Sequence, residues 1–177
     1  MKQIPLGRSG RFALVDDRDF DWLSQYQWIA EPSRKQVYVV HSKHDKRTGG
    51  TTRIKGHRTM HGLMMKPSPG QEIDHIDHNG LNNQRSNLRL CTRKQNLGGS
   101  TLNLNNSSGF KGVSRDIVTV RKKYGKMWKA LGALMNRRRV SLGYFATPEE
   151  AAKAYDKWAL QEYGEFAATN KSLGLLD

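Results

Sequence analysis

Over its first hundred residues the chain alternates short apolar runs with polar breaks. Ile4–Leu6, Phe12–Val15 and Val37–His41 are β-favouring runs interrupted by Gly, Asp and Pro. Asp19–Tyr26 reads as one or two helical turns with Phe20 and Leu23 facing inward. Arg58–Lys66 reads as a short helix that Pro67 stops. Between them, Gly49-Gly50 suits a tight hairpin turn. Further on, Ile73–Ile76 looks like a strand end, Asp77–Ser86 a loop of Asn, Gly and Asp, and Leu88–Leu90 a return strand. Thr92 and Gln95 have capping-box spacing, so a helix should begin there with Asn96 one turn in. The order is strand, loop, strand, helix.

The pattern changes after Leu97. Leu97–Gly109, LGGSTLNLNNSSG, carries no charge and has the Gly, Ser and Asn content of a linker. Three β-type runs separated by turns follow, at Ser108–Ser114, Trp128–Ala130 and Leu142–Phe145. Then comes a helix with a marked start: Thr147 as N-cap, Pro148 at the first helical position and Glu150 completing a capping box. Ala151, Tyr155, Trp158 and Ala159 recur at helical spacing, and Gly164 is a natural stop. The expectation is an α+β chain in two modules. Residues 1–97 form a β-rich module ending in strand–loop–strand–helix, 98–109 a linker, and 110–170 a three-stranded antiparallel sheet packed on one helix.

Charge narrows the partner. Thirty Lys and Arg against 16 acids give a formal net charge of +14. Residues 111–140 hold ten bases and one acid, Asp116, whereas 141–177 hold three bases and six acids. Each phosphate neutralised by Lys or Arg releases condensed counterions, which drives nucleic-acid binding. Lys46, Arg47 and Arg53 sit in a loop suited to phosphates. Arg93, Lys111, Arg115, Arg121, Lys129, Arg137, Arg138 and Arg139 are further candidate DNA contacts, most on or between the predicted strands of the second module. One cysteine, Cys91, permits no internal disulfide and suits a reducing cytoplasm. No apolar run nears the ~20 residues of a membrane span, and Met1–Gly10 lacks a signal peptide's apolar stretch.

The chemistry is concentrated in Glu72–Asn96. Phosphodiester hydrolysis needs an activated water, relief of charge on the phosphate and help for the leaving oxygen. A neutral imidazole, His75, can take a proton from water near neutral pH. A hard cation can relieve the charge, and Mg²⁺ (or Mn²⁺) needs only one or two protein oxygen ligands, for which Asp74 and Asn96 are the candidates. Adjacent strand residues point to opposite faces, so a bulge or twist is expected at Asp74-His75. A single Cys excludes a Cys-rich zinc staple, and the remaining His pairs read as ordinary structural residues.

Asp74-His75, the Asn-rich loop through Asn79, Asn83 and Asn87 to Leu88-Arg89, and a capped helix bearing Asn96 together resemble the HNH nucleases with their ββα-metal motif. The similarity is greatest to the phage homing-endonuclease branch, whose last His is replaced by Asn. The resemblance implies that Asp74 and Asn96 bind the metal, His75 is the general base, and Asn87 holds the loop by backbone hydrogen bonds. Gly-Phe-Lys-Gly-Val from Gly109, Trp-Lys-Ala from Trp128, Leu-Gly-Tyr-Phe from Leu142 and Thr-Pro-Glu-Glu-Ala-Ala from Thr147 resemble the APETALA-two/ethylene-response-factor DNA-binding domain. Such a sheet would read double-stranded DNA in the major groove. The resulting expectation is a monomeric, site-specific homing endonuclease or nickase, with no membrane association. The competing expectations are a non-catalytic DNA-binding regulator that retains the nuclease fold, and an RNA-binding protein.

Overall fold

The structure, a computed structural model, describes residues 1–33, 36–42, 58–117, 125, 127–133 and 139–177. The fold is α+β, and the chain divides into two compact units, Met1–Thr92 and Arg93–Asp177.

Among the described residues, the first unit holds three antiparallel strand pairs and two short α-helices. Strand β1 (Lys2–Pro5) pairs with β2 (Phe12–Val15), and β3 (Trp28–Pro32) with β4 (Val37–His41). Helix α1 (Asp17–Leu23) joins β2 to β3. Helix α2 (Met60–Met65) starts where the Thr59 side chain accepts from the Gly62 N–H, and it ends at Lys66, which takes a left-handed backbone just before Pro67. The third pair is β5 (Gln71–His75) with β6 (Leu88–Thr92). Alternation along the strands sends Ile4, Ala13, Val15, Trp28 and Val39 into one core with Leu23, Met60, Met64 and Leu88. The expected strands and helices are present. Strand β3 is additional: only Trp28 of its five residues is fully buried and Pro32 closes it, so it lacks a clear apolar alternation. The Gly49-Gly50 hairpin expectation lies outside the described residues.

The second unit opens with α3 (Arg93–Gly98). Residues 98–109, linker-like in composition, carry specific turns here. The Asn106 amide accepts from the Ser108 and Gly109 N–H groups and donates to the Phe110 carbonyl, and the Ser108 hydroxyl donates to the Val113 carbonyl. A sheet follows in the order β7 (Val113–Arg115), β8 (Trp128–Ala133), β9 (Arg139–Phe145), all antiparallel. A register shift at Ala130/Leu131 leaves Leu142 as the extra residue of β9, and Leu142 joins the core. Helix α4 (Pro148–Tyr163) lies against the sheet, burying Ala151, Ala152, Tyr155 and Ala159. Its start is as expected: the Thr147 hydroxyl accepts from the Glu150 N–H, and the Glu150 carboxylate accepts from the Ala146 N–H. Gly112 has a positive φ and lies directly against the Tyr155 ring, where no Cβ would fit. Trp158 packs against Tyr155 at a tilt and against Tyr163 edge to face, centroids 5.7 and 5.4 Å away, as a packing residue of the helix.

Candidate functional site

The strand–loop–strand of the first unit gathers Asp74, His75 and Asn87 at the end of β5. Register is continuous through Asp74↔Arg89 and His75↔Leu88, so of the expected bulge or twist the strand shows no bulge. The strand instead stops at His75, and the chain turns at once: the His78 N–H donates to the His75 carbonyl, and the Ile76 N–H to that of Asn87. Asp74 and His75 are both buried. On one side Arg89 reaches across the strands and makes two bonds to the same oxygen, Asp74 Oδ2, at 2.9 and 2.7 Å. A carboxylate so held is oriented as well as charge-compensated.

The loop is held by its own side chains. Asn87 Oδ1 accepts from the Asp77 N–H (3.0 Å), while Asn87 Nδ2 donates to Asp77 Oδ1 (2.8 Å) and to the Asn82 carbonyl (2.9 Å). Asp77 also accepts from the Asn79 N–H and from Asn82 Nδ2. Burial pushes the Asp77 carboxyl up, but the bonds from Asn79, Asn82 and Asn87 outweigh it and hold the group below the usual carboxylate range. Asp77 carried no role in the sequence reading. Its place two residues before Asn79, the spacing of an Asx turn, is the signal that could have found it.

From behind, the loop is fixed to β2 and α1. The Asn83 N–H donates to the Leu14 carbonyl and the Leu14 N–H to that of Leu81. Arg85 donates to both oxygens of buried Asp19, at 2.8 and 2.9 Å, and the Arg85 N–H and the Gln84 amide donate to Asp16. Gly80 lies against the Val37 carbonyl and the Tyr38 ring, and a Cβ there would come within 2.8 Å of the ring.

His75 itself sits among rings from two other elements. His61 of α2 meets it edge to face, centroids 5.0 Å apart, and Tyr38 of β4 is 6.0 Å from it and 5.7 Å from His61. Burial pushes the His75 imidazole below its ordinary value, against the pull of the Asn83 amide and of the Asp77 and Asp74 carboxylates. It is therefore neutral at physiological pH, the state a proton acceptor needs. Burial, the first cause, also raises the Tyr38 hydroxyl, as does the field of Asp74, so the phenol stays protonated. Sequence reading gave Tyr38 no role and His61 only a structural one, because the three rings come from segments far apart in the chain.

Asn96 lies on α3, in the second unit, directly after β6. Among the described residues no group of three or more His, Cys, Asp or Glu could hold a metal ion, so a cation here would draw on few protein ligands. The oriented Asp74 carboxylate fits a hard, oxygen-seeking cation of that kind.

Of the expected DNA contacts, Lys46, Arg47, Arg53, Arg121, Arg137 and Arg138 lie outside the described residues. Arg93 is exposed on α3. Register pairs Lys129 with Tyr144, and the Lys129 ammonium lies 5.4 Å from that ring centre. Arg139 shares the same sheet face, opposite the one that Trp128 and Ala130 turn toward α4. Arg115 is exposed at the end of β7, in the row of Trp128 and Phe145 that packs toward the helix. The ammonium of half-buried Lys111 donates to the Gly98 and Ala168 carbonyls at 2.7 and 3.0 Å. No helix among the described residues is long and apolar enough to cross a membrane.

Residues 57–97 match the HNH endonuclease family, a span running from α2 through both strands of the site to α3. No solved structure matches the chain. An uncharacterised HNH endonuclease of Acanthamoeba polyphaga mimivirus is 34% identical over 169 residues, which cover 94% of this chain and 79% of that protein. With a relative of that identity over nearly its whole length, and the family's segment folded around Asp74 and His75, the chain belongs to the HNH endonucleases.

Proposed function

We propose that this protein cuts double-stranded DNA at one phosphodiester bond per encounter, acting as a site-specific homing endonuclease or nickase in which one active site works per monomer. The observation that carries the reading is the buried Asp74-His75 pair, set at a strand end and framed by a loop that Asn87 and Asp77 hold closed. His75, neutral and dry, takes the proton of the attacking water. Asp74 would hold the divalent cation, with Asn96 as the second ligand that the family resemblance implies. When bound, Mg²⁺ (or Mn²⁺) relieves charge on the phosphate and stabilises the departing oxygen. Arg89 keeps the Asp74 carboxylate in one orientation, and Asn87 keeps the chain after His75 from opening.

The second unit serves as the DNA-reading module. Its three-stranded sheet backed by one helix supports the resemblance to the APETALA-two/ethylene-response-factor domain. Among the described residues, Lys129 and Arg139, on the face away from the helix, would meet phosphates or bases.

The test is cleavage of supercoiled plasmid with Mg²⁺ or Mn²⁺ by wild type and His75→Ala. Wild type should yield open circles, and His75→Ala should be slower by about 10²–10⁴-fold, the usual worth of a general base. Intact plasmid in both, across several divalent ions and candidate target sequences, would replace the enzyme with a DNA-binding regulator.

A further inference from the structure

The first unit holds a cavity of about 740 Å³ that the mechanism above does not use. It lies where β1, the end of α1 and the start of β3 meet, among residues 4–42 and so outside the segment that matches the HNH family. Its size is that of a small-molecule site, which runs to roughly 300–1,000 Å³ and combines apolar walls with a few placed polar groups. Ile4, Trp28 and Ile29 supply the apolar lining, and Phe20 and Tyr26 add aromatic rings. Tyr26 meets both Trp28 and His41 edge to face, centroids 6.0 and 5.9 Å away, which holds its ring in one plane. Ile29 is exposed, so the cavity is reached from solvent.

The polar lining is sparse. Ser24 closes α1, and its N–H donates to the Phe20 carbonyl at 2.8 Å, which fixes the backbone there. Its hydroxyl oxygen is buried and has no hydrogen bond within the structure. Such an atom is costly to bury, and a hydroxyl both donates and accepts, so a ligand edge with either kind of group would satisfy it. Gln27 and Ser42 stand side by side, the Ser42 N–H on the Gln27 carbonyl (2.8 Å), and add an amide and a second hydroxyl. Among the described residues, exposed Arg8 is the one charged member of the lining, and no carboxylate joins it. The matching occupant has a flat apolar body, hydrogen-bonding groups along one edge and a negative charge beside it. A nucleotide has all three. A lipid chain would leave Ser24 without a partner, and an apolar protein segment would bring no charge to Arg8.

We propose that this cavity receives one nucleobase drawn out of the DNA stack: the base lies against Phe20 and Tyr26, its edge bonds to Ser24, and the neighbouring phosphate meets Arg8. This rests on the reading of DNA as the substrate. Aromatic walls hold any base and supply affinity, whereas contacts to the edge, at Ser24 and Gln27, supply choice among bases. Extrusion costs least where pairing is already weak, at a mismatch or an unpaired position. Helix α1 ties the cavity to the cutting site. Asp19 near its start, with Asp16 just before it, holds Arg85 of the catalytic loop, while Phe20 and Ser24 belong to its last turn and its end. Seven residues of helix measure about 10 Å, so a base held at one end helps to set the register of the strand near the other.

The full-length, metal-free, ¹⁵N-labelled protein is titrated with dAMP, dCMP, dGMP and dTMP in turn and followed by NMR. At least one nucleotide should shift the amide signals of Ser24, Gln27 and Ser42 saturably. Ser24→Leu, which fills the cavity, should abolish the shifts. Arg8→Gln should weaken the nucleotide about fivefold, the upper range for an exposed ion pair, and leave the matching deoxynucleoside, which has no phosphate, unaffected. By fluorescence anisotropy, wild type should prefer a duplex with one central mismatch to the fully paired duplex by about 10-fold, within the worth of one stacked base, and Ser24→Leu should lose that preference. Should Ser24→Leu fail to fold, Ile29→Trp, at an exposed wall position, narrows the same cavity. No shift at those amides with any of the four nucleotides overturns the proposal, as do shifts that persist unchanged in the filled cavity. A concentration-dependent dimer in sedimentation that Ile29→Glu dissolves would give the cavity to a second copy of the chain and overturns it equally. None of these measurements needs metal or cleavage, so a failure of the DNA-cutting reading shows separately, in the plasmid assay of His75→Ala.

Discussion

Two fully buried asparagines, one in each unit, grip their surroundings in the same manner and differ in a single atom. Asn170 gives its N–H and its Nδ2 to Asp156, shares Nδ2 with the Lys111 carbonyl, accepts the Lys111 N–H at Oδ1, and offers its own carbonyl to Leu175. Nothing polar on it is left over. Asn83 is equally buried, yet its Oδ1 has no hydrogen bond within the structure. A completed network of this kind locks the chain; an incomplete one is high in energy unless something later completes it. Stability and chemistry are thus separated between the units by how far each network is closed.

The largest effect expected from this contrast is on the closed side. Asn170→Ala removes the side-chain bonds to Asp156 Oδ1 and to the Lys111 N–H and carbonyl, while the backbone donors of residues 170 and 171 to Asp156 remain, and should cost about 3 kcal/mol, judged from the penalty for orphaned buried groups. Denaturant midpoints would measure it, and cleavage per folded molecule should stay as in wild type. A drop in cleavage beyond the unfolded fraction would break the contrast. Next comes Arg85→Ala, which strips buried Asp19 of its paired donor. Since Arg85 is itself about a third exposed, a cost near 2 kcal/mol at neutral pH is expected rather than the larger figure for a wholly buried pair.

The third expectation is the pH course of that cost. The Arg85 guanidinium, followed in effect by the Trp22 N–H, holds the Asp19 carboxyl below its ordinary value of 3.8 against the effect of burial. A carboxyl lowered in the folded state adds stability that is complete above its unfolded value and disappears as pH falls through the folded one. The gap between wild type and Arg85→Ala should therefore narrow from pH 5 to pH 2, to below about 1 kcal/mol, in thermal melts across that range. A constant gap would mean that Arg85 acts by packing. The smallest effect is on DNA. Arg139→Gln should lower the slope of log affinity against log salt by about 1, the signature of one lost phosphate contact. Lys111→Gln should leave the slope alone while destabilising the protein, and a changed slope would return Lys111 to the DNA surface.

How much of this could be read from the chain depended on distance along it. Helix α4 was legible because Thr147, Pro148 and Glu150 act on their immediate neighbours. The strand–loop–strand order was legible because Asp74, His75 and the Asn run lie within one stretch. Within the loop, the ties among Asp77, Asn82 and Asn87 are local enough for spacing to hint at them. The rings around His75 come from β4 and α2, and the Asp16 and Asp19 support of Arg85 spans more than sixty residues, so only the folded chain assembles them. The bonds of Lys111 were hidden for a different reason. A lysine between Phe110 and Gly112 looks like a phosphate contact, and only the carbonyls of Gly98 and Ala168, brought in by folding, reveal its other use.

The fit of Gly80 against Val37 and Tyr38 also bears on how the protein ages. Asn79-Gly80 is an Asn-Gly step, the kind most prone to cyclise and deamidate, because glycine's amide nitrogen can swing freely onto the preceding side chain. Here Gly80 is buried, wedged between a carbonyl and a ring, while Asn79 Oδ1 is engaged by the Leu81 N–H. The native fold therefore shields the step from a reaction that the unfolded chain would undergo readily. Isoaspartate at residue 79 would accordingly act as a molecular clock for time spent unfolded, and a protein kept folded would carry little of it.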